Sequence, residues 1–350
     1  MTTFSRSHAL RSIAALAATA VSARPAGSQS LATVTIGITN STTDTPFIIA
    51  EKLGYFRAVG INAQLTPFDG APKMIAPLGT GQLDVGSGAP SAGLYNAVVR
   101  GIDIRMVADK GTPQPGYGYD PLLVRKDLVT SGKFKTPRDL KGMKVAEVAV
   151  GGATSAMIAR LMESVGLTYN DVQHVYLPFP DHVAALANGS IDAAFTNEPY
   201  ATIAERQGTT VRVLGNDKWY PGQQIGVVIY GSSFLQKRRD VGTSFMIAWI
   251  RAARFYNDAL AGGHLRGRTA KEVLDILAAT TEVKDRTIYS DMVASAVDPN
   301  GKLNISSLAD DLAFFKRLGL INGNVIVAQA VDTSFQEAAV RKLGPYSARR

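Results

Sequence analysis

Cysteine is absent from all 350 residues. That excludes a disulfide framework, a thiolate nucleophile, a Cys-ligated zinc, an iron–sulfur cluster and lipid attachment at an N-terminal Cys. Histidine is scarce: His8, His174, His182 and His264 are the full set, and none stand in an H-x₃-H or HExxH spacing. A zincin-type metal site is therefore not expected. The sequence also lacks a G-x-S-x-G elbow and a GxxxxGK[ST] phosphate loop, which removes the hydrolase and nucleotide-loop readings. No catalytic group, metal or cofactor is expected. Lys and Arg number 37 against 29 Asp and Glu, a net charge of +8. They are scattered rather than striped with aromatics, so nucleic acid is not an expected partner.

Long apolar runs are equally few. After Arg6 and Arg11 comes an apolar stretch at 13–21 and then the small residues Ser22 and Ala23. The stretch is too short to span a bilayer and has the layout of a secretory signal peptide, 1–23, with cleavage at latest about residue 30. A soluble, exported, periplasmic chain is expected. Its composition, 46% hydrophobic and 19% charged, is ordinary for a globular protein and leaves room for two domains.

What the sequence does have is a repeat. Residues 78–90 read LGTGQLDVGSGAP and residues 186–199 read LANGSIDAAFTNEP. Gly81, Leu83 and Asp84 align with Gly189, Ile191 and Asp192; Phe68-Asp69 and Pro180-Asp181 precede the two copies. A repeat is worth settling first. Two copies predict two similar domains, each with a helix, a short strand and a small-residue loop at the strand's carboxyl end. Open α/β sheets place ligands at that end.

Strands are predicted at 33–38, 62–66, 83–86, 104–108, 121–125, 144–150, 175–177, 193–196, 211–214 and 225–230. Helices are predicted at 46–52, 73–78 and 88–99, over a stretch opened by 151–155 and ended by Gly166, and later at 243–260, 269–280, 306–318 and 334–343. This alternation is the α/β signature, with mostly parallel sheets flanked by helices. Segments 111–120 (GTPQPGYGYD) and 217–224 (DKWYPGQQ) are dense in Gly, Pro and aromatics and read as hinges. Lobe I is then 32–115 plus 223–350, carrying the C-terminal helices, and lobe II is 116–222.

Small residues introduce three helix starts, at 40–45, 87–91 and 152–155, with Asn40, Ser41, Thr42, Ser87, Gly88, Ala89, Gly152, Ala153, Thr154 and Ser155 as the candidate contacts. Backbone N–H groups, the helix dipole and hydroxyls there can hold an anion or a carbonyl oxygen. Asn197 and Glu198 occupy the equivalent point of the second repeat. Glu198 is either a contact for a ligand amine or hydroxyl, or a surface or capping acid. Tyr117, Tyr119, Trp219 and Tyr220 fall in the hinges, where rings either stack on a bound molecule or steady the crossing.

Several stretches together resemble a known family. PFIIAEKLGYF, GINAQL, GQLDVGSGAPSAGL, TPRDLKGMKVA, GGATSAMIARLMESVGL, NGSIDAAFTNEPYAT and VDTSFQEAAVRKLG follow in the order seen in substrate-binding proteins of nitrate/sulfonate/taurine-type ABC importers. The resemblance implies a two-lobed periplasmic-binding fold of type II, with two crossovers, that traps a small organic or anionic ligand and hands it to an inner-membrane ABC permease. It places ligand contacts on residues 40–42, 87–89, 153–155 and 197–198. A monomer with no catalysis is expected. The same fold and resemblance are shared by thiamine-pyrimidine synthases, an enzyme alternative that carries a cysteine-rich iron motif missing here. A receptor of another transporter class is the other alternative.

Overall fold

The structure, a computed structural model, describes residues 1–2 and 30–347. The expected signal segment at 1–23 therefore lies, from residue 3 on, outside the described residues. The strands are β1 (Ala32–Ile38), β2 (Ile61–Pro67), β3 (Val85–Gly88), β4 (Arg105–Gly111), β5 (Leu122–Arg125), β6 (Lys144–Glu147), β7 (Gln173–Tyr176), β8 (Ala193–Phe195), β9 (Thr210–Leu214) and β10 (Gly226–Tyr230). They form two five-stranded sheets, ordered β2-β1-β3-β10-β4 and β7-β6-β8-β5-β9.

β1 shows why the strands form. Its residues are mostly β-branched, and alternate positions Val34 and Ile36 are fully buried, the pattern of a pleated strand with an inward face. In the first sheet β1 pairs parallel with β2 and β3, while β10 runs antiparallel to β3 and β4. In the second, β6 pairs parallel with β7 and β8, while β5 opposes β8 and β9. Each sheet is thus mostly parallel, with one reversed strand. The reversed strand is in each case the first one laid down after the chain arrives from the other sheet.

The repeat seen in the sequence has a structural explanation in this symmetry. Gly81 and Gly189 both have left-handed backbones, φ 79° and 77°, which end a helix at little cost only for glycine. Three residues on, Asp84 accepts a hydrogen bond from Thr35 N at 3.0 Å and pairs with Arg238 at 3.0 Å. Asp192 does the same with Lys144 N at 2.9 Å and with Arg125 at 3.7 Å. Each aspartate sits just before the central strand of its sheet, β3 or β8, and ties it to the neighbouring strand β1 or β6. The repeat's acid is a structural clamp.

Two apolar cores flank the first sheet. In one, Phe245 and Trp249 of the helix Arg239–Asn257 meet Phe47, with ring centroids 6.3 Å and 5.8 Å apart. The other joins both sheets through the helix Ile305–Arg317. Its Leu308, Leu312 and Phe315 pack in one cluster with Met106 and Val227 of the first sheet and Val145 and Phe195 of the second. The connections between the sheets, 112–121 and 215–225, run side by side: Gly222 N donates to Pro113 O at 2.9 Å and Gly116 N to Asp217 at 2.9 Å.

Of the element bounds that differ from expectation, three have a visible local cause. The strand predicted at 144–150 stops at Glu147, because the buried Glu147 carboxylate is held by Ser155, by Tyr169 at 2.6 Å and by His174 at 2.7 Å. The chain turns there. The helix predicted from residue 88 begins at Ala92, behind Ser91, whose hydroxyl accepts from Leu94 N at 3.2 Å as an N-cap. The helix predicted to reach 260 ends at Asn257, since Leu260–Ala261 pairs with His264–Leu265 in a short hairpin.

Candidate functional site

A cavity of about 350 Å³ lies where the two sheets face each other. Its walls come from the segments after β1, β2, β3, β6, β7 and β8, and from the starts of the reversed strands β10 and β5. This is the carboxyl-end geometry at which α/β sheets bind ligands. From the first sheet Asn40, Ser41, Gly88 and Ala89 line it; from the second, Gly152, Ala153, Thr154 and Asn197. Phe68, Phe179, Pro72, Pro178 and Ile225 make much of the remaining wall apolar.

Six residues expected at the ligand do not line this cavity. Glu198 is fully buried, with its carboxylate 2.5 Å from Arg212 and accepting from Thr202 N and Val293 N at 3.0 and 3.3 Å. Its charge is satisfied inside the protein, because a buried carboxylate requires a partner. Ser87 is also fully buried and donates to Asp44. Ser155 spends its hydroxyl on Glu147 and accepts from Gly151 N at 3.1 Å, holding the turn that carries Gly152. Thr42 is buried behind the wall, its hydroxyl 3.5 Å from Asn197 Oδ1. Tyr117 opens onto a separate groove with Gln114, Asn257 and Tyr346. Trp219 donates its indole N–H to Met157 O at 3.2 Å and packs edge-on against Phe195. Of the two hinge-ring readings, Trp219 follows the packing one.

Three charged residues went unrecognised in the sequence. Asp44 and Lys110 form a buried pair, 3.0 Å apart with side chains 0% and 3% exposed. Asp44 also accepts from Thr39 N at 2.8 Å and Ser41 N at 3.2 Å. Asn40 has a left-handed backbone, φ 56°, a conformation asparagine tolerates better than most residues. The turn at Asn40 folds the loop back over the Asp44 carboxylate. Lys110 lines the cavity beside Asp120. In the sequence Lys110 stands near the end of the apolar strand RMVADKG, and Asp120 is the last residue of the GTPQPGYGYD break.

Asp120 is 3% exposed. Asn197 Nδ2 donates to its Oδ1 at 2.8 Å, and Oδ2 has no hydrogen-bond partner among the described residues. Burial pushes its carboxyl up to about 7, against the Asn197 hydrogen bond; the Glu198 charge adds to the rise and Lys110 opposes it. Among the described residues no group of three or more His, Cys, Asp or Glu is arranged to hold a metal ion.

The two walls touch at the cavity's edge. Ala92 N donates to Gly151 O at 2.8 Å, Ser91 bridges Gly152 in a β-contact, and Thr42 N donates to Glu198 O at 3.3 Å. On the surface Arg206, beside the second sheet, reaches Thr287 Oγ1 at 2.7 Å and Asp291 at 2.5 Å.

Two matched sheets, two crossings and a cavity walled from both define a periplasmic-binding-protein fold. The profile described as the NMT1-like family matches residues 27–263, more than half of the sequence, and the chain belongs to that family. A Bacillus subtilis (strain 168) protein named as an aliphatic sulfonates-binding protein is 29% identical over 330 residues, 88% of each chain. An Escherichia coli (strain K12) protein of the same name is 33% identical over 147 residues, a match spanning 42% of this chain and 43% of that one. The periplasmic nitrate-binding protein NrtA from Synechocystis PCC 6803 superposes with a TM-score of 0.75 at 14% identity, over 89% of both chains. Among the described residues no helix is long and apolar enough to cross a membrane.

Proposed function

We propose that the chain is the exported, periplasmic solute receptor of an ABC importer, a monomer that traps one small molecule between two lobes and presents the closed form to a permease. The lobes would be 32–115 with 223–350, and 116–222. The observation that carries this reading is the cavity walled by both sheets and sealed by direct contacts between them. A solute touching both walls stabilises the closed arrangement by the difference in its affinity for closed and open forms. The paired connections and the shared helix Ile305–Arg317 would form the hinge. The reading assigns no bond-making step to the cavity.

The test is a thermal-shift screen of the mature chain against small sulfonates, nitrate, amides and aromatic carboxylates. A concentration-dependent rise in melting temperature with one class supports the reading. A flat response to every class counts against it.

Arg206 would be a latch between the lobes. Its partners Asp285 and Asp291 are exposed, so the attraction is weak and screened by salt. Arg206→Ala is expected to raise the radius of gyration of the ligand-free chain slightly at low ionic strength, with no difference from wild type in high salt. Scattering curves that coincide at both salt concentrations would remove the latch.

A further inference from the structure

The relatives' names point to oxyanions, yet the cavity is poorly made for one. No arginine lines it among the described residues, and its one ammonium, Lys110, is engaged with Asp44. Three carboxylates line it, Asp69, Asp120 and Glu282. Asp69 pairs with Lys73, and Glu282 faces the Asn40 amide at 3.4 Å. Asp120 is different: it is buried, lines the cavity and keeps one oxygen without a partner. An unpartnered buried acceptor normally costs stability, which marks it as a place where a partner is brought in.

We infer that the solute carries an N–H donor on an apolar body, and that the Asp120 carboxylate, whose unpartnered Oδ2 is covered in this structure, turns to accept that hydrogen bond when the cavity is filled. The inference rests on the solute-receptor reading and narrows it. Phe68 and Phe179 supply aromatic faces for the apolar part. The remaining N–H bonds of Lys110 can meet an acceptor on the same molecule. Amides and amidines on a ring fit this description; a bare sulfonate or nitrate does not, because its charge would sit beside Asp120 and Glu282 without a guanidinium.

Protonation gives a second handle. The titratable and charged groups around Asp120 are Glu198 and Tyr119 on its own side and Lys110, backed by Asp44, on the other. A solute N–H favours the ionised carboxylate, so affinity should rise with pH through the range in which the carboxyl gives up its proton. An oxyanion could be held only by the protonated acid, so its affinity should fall over the same range.

The experiment is calorimetric titration of the mature chain with benzamide, benzamidine, benzenesulfonate and nitrate. It is run from about pH 5.5 to about pH 8, either side of the carboxyl's value of about 7, and repeated with Asp120→Ala and Asp120→Asn. The expected result is binding of an N–H probe that strengthens with pH and weakens about tenfold or more in Asp120→Ala, about 1.4 kcal/mol. Asp120→Asn keeps the side-chain volume, and near-ultraviolet circular dichroism checks that it folds; it should bind the N–H probe without the pH dependence. Binding confined to benzenesulfonate or nitrate, unweakened in Asp120→Ala, overturns the inference and leaves the solute-receptor reading standing. No binding by any of the four probes counts against both.

Discussion

Arg212→Ala is expected to lower the unfolding free energy by about 3–5 kcal/mol, the range for removing one partner of a buried ion pair. The Glu198 carboxylate is fully buried, and Arg212 is the one cation within salt-bridge distance of it among the described residues. Without the guanidinium, Glu198 keeps only the Thr202 and Val293 amides and must either stay charged in a low-dielectric site or take up a proton. Arg212 also bonds Glu205 at 2.7 Å, so the substitution frees a second acid, though a partly exposed one. Glu198→Gln combined with Arg212→Met should recover most of the loss, since it removes both charges and keeps the volume. Urea denaturation of the three chains measures this. A loss below about 1 kcal/mol in Arg212→Ala, the range of a surface pair, would mean that the pair is solvated and Glu198 is free for another role.

Ala89→Trp is expected to abolish solute binding, by at least about a hundredfold or about 2.7 kcal/mol, while leaving the melting temperature close to wild type. Ala89 lies on the cavity wall and is only half-buried, so an indole there points into the space a solute would occupy and displaces no core residue. Ser87, two residues earlier, reads in the sequence as an equivalent position. The structure separates them. Ser87 is fully buried under Asp44, and a large residue there would disrupt the core rather than fill the cavity. Calorimetry with the solute selected by the thermal-shift screen, together with a melt of each variant, distinguishes the cases. Retained binding in Ala89→Trp would place the site elsewhere.

The fold was legible because its signals are local. Period-two strands such as β1, glycine stops such as Gly81 and Gly189, and the Gly/Pro-rich segments 111–120 and 217–224 each declare themselves within a few residues. The repeat exposed the internal symmetry of the sheets, yet its aspartates turned out to clamp strands β1 and β6. The small-residue loops at Gly88, Ala89 and Gly152–Thr154 were legible as walls because only their position at strand ends matters. Charge placement was not. Glu198 and Asp120 look alike in sequence, and which one faces the cavity depends on where Arg212, on the later strand β9, happens to reach. The Asp44–Lys110 pair joins residues far apart in the chain, and nothing local announces such a partner. Trp219 illustrates the same limit, since its donor goes to Met157 O on a helix packed behind the second sheet.

The most direct test of the solute-receptor account is small-angle scattering of the mature chain with and without the solute that raises its melting temperature most. The account predicts that the radius of gyration falls on binding in wild type and does not change in Ala89→Trp. A solute that binds tightly in the calorimeter yet leaves the wild-type radius of gyration unchanged would contradict it.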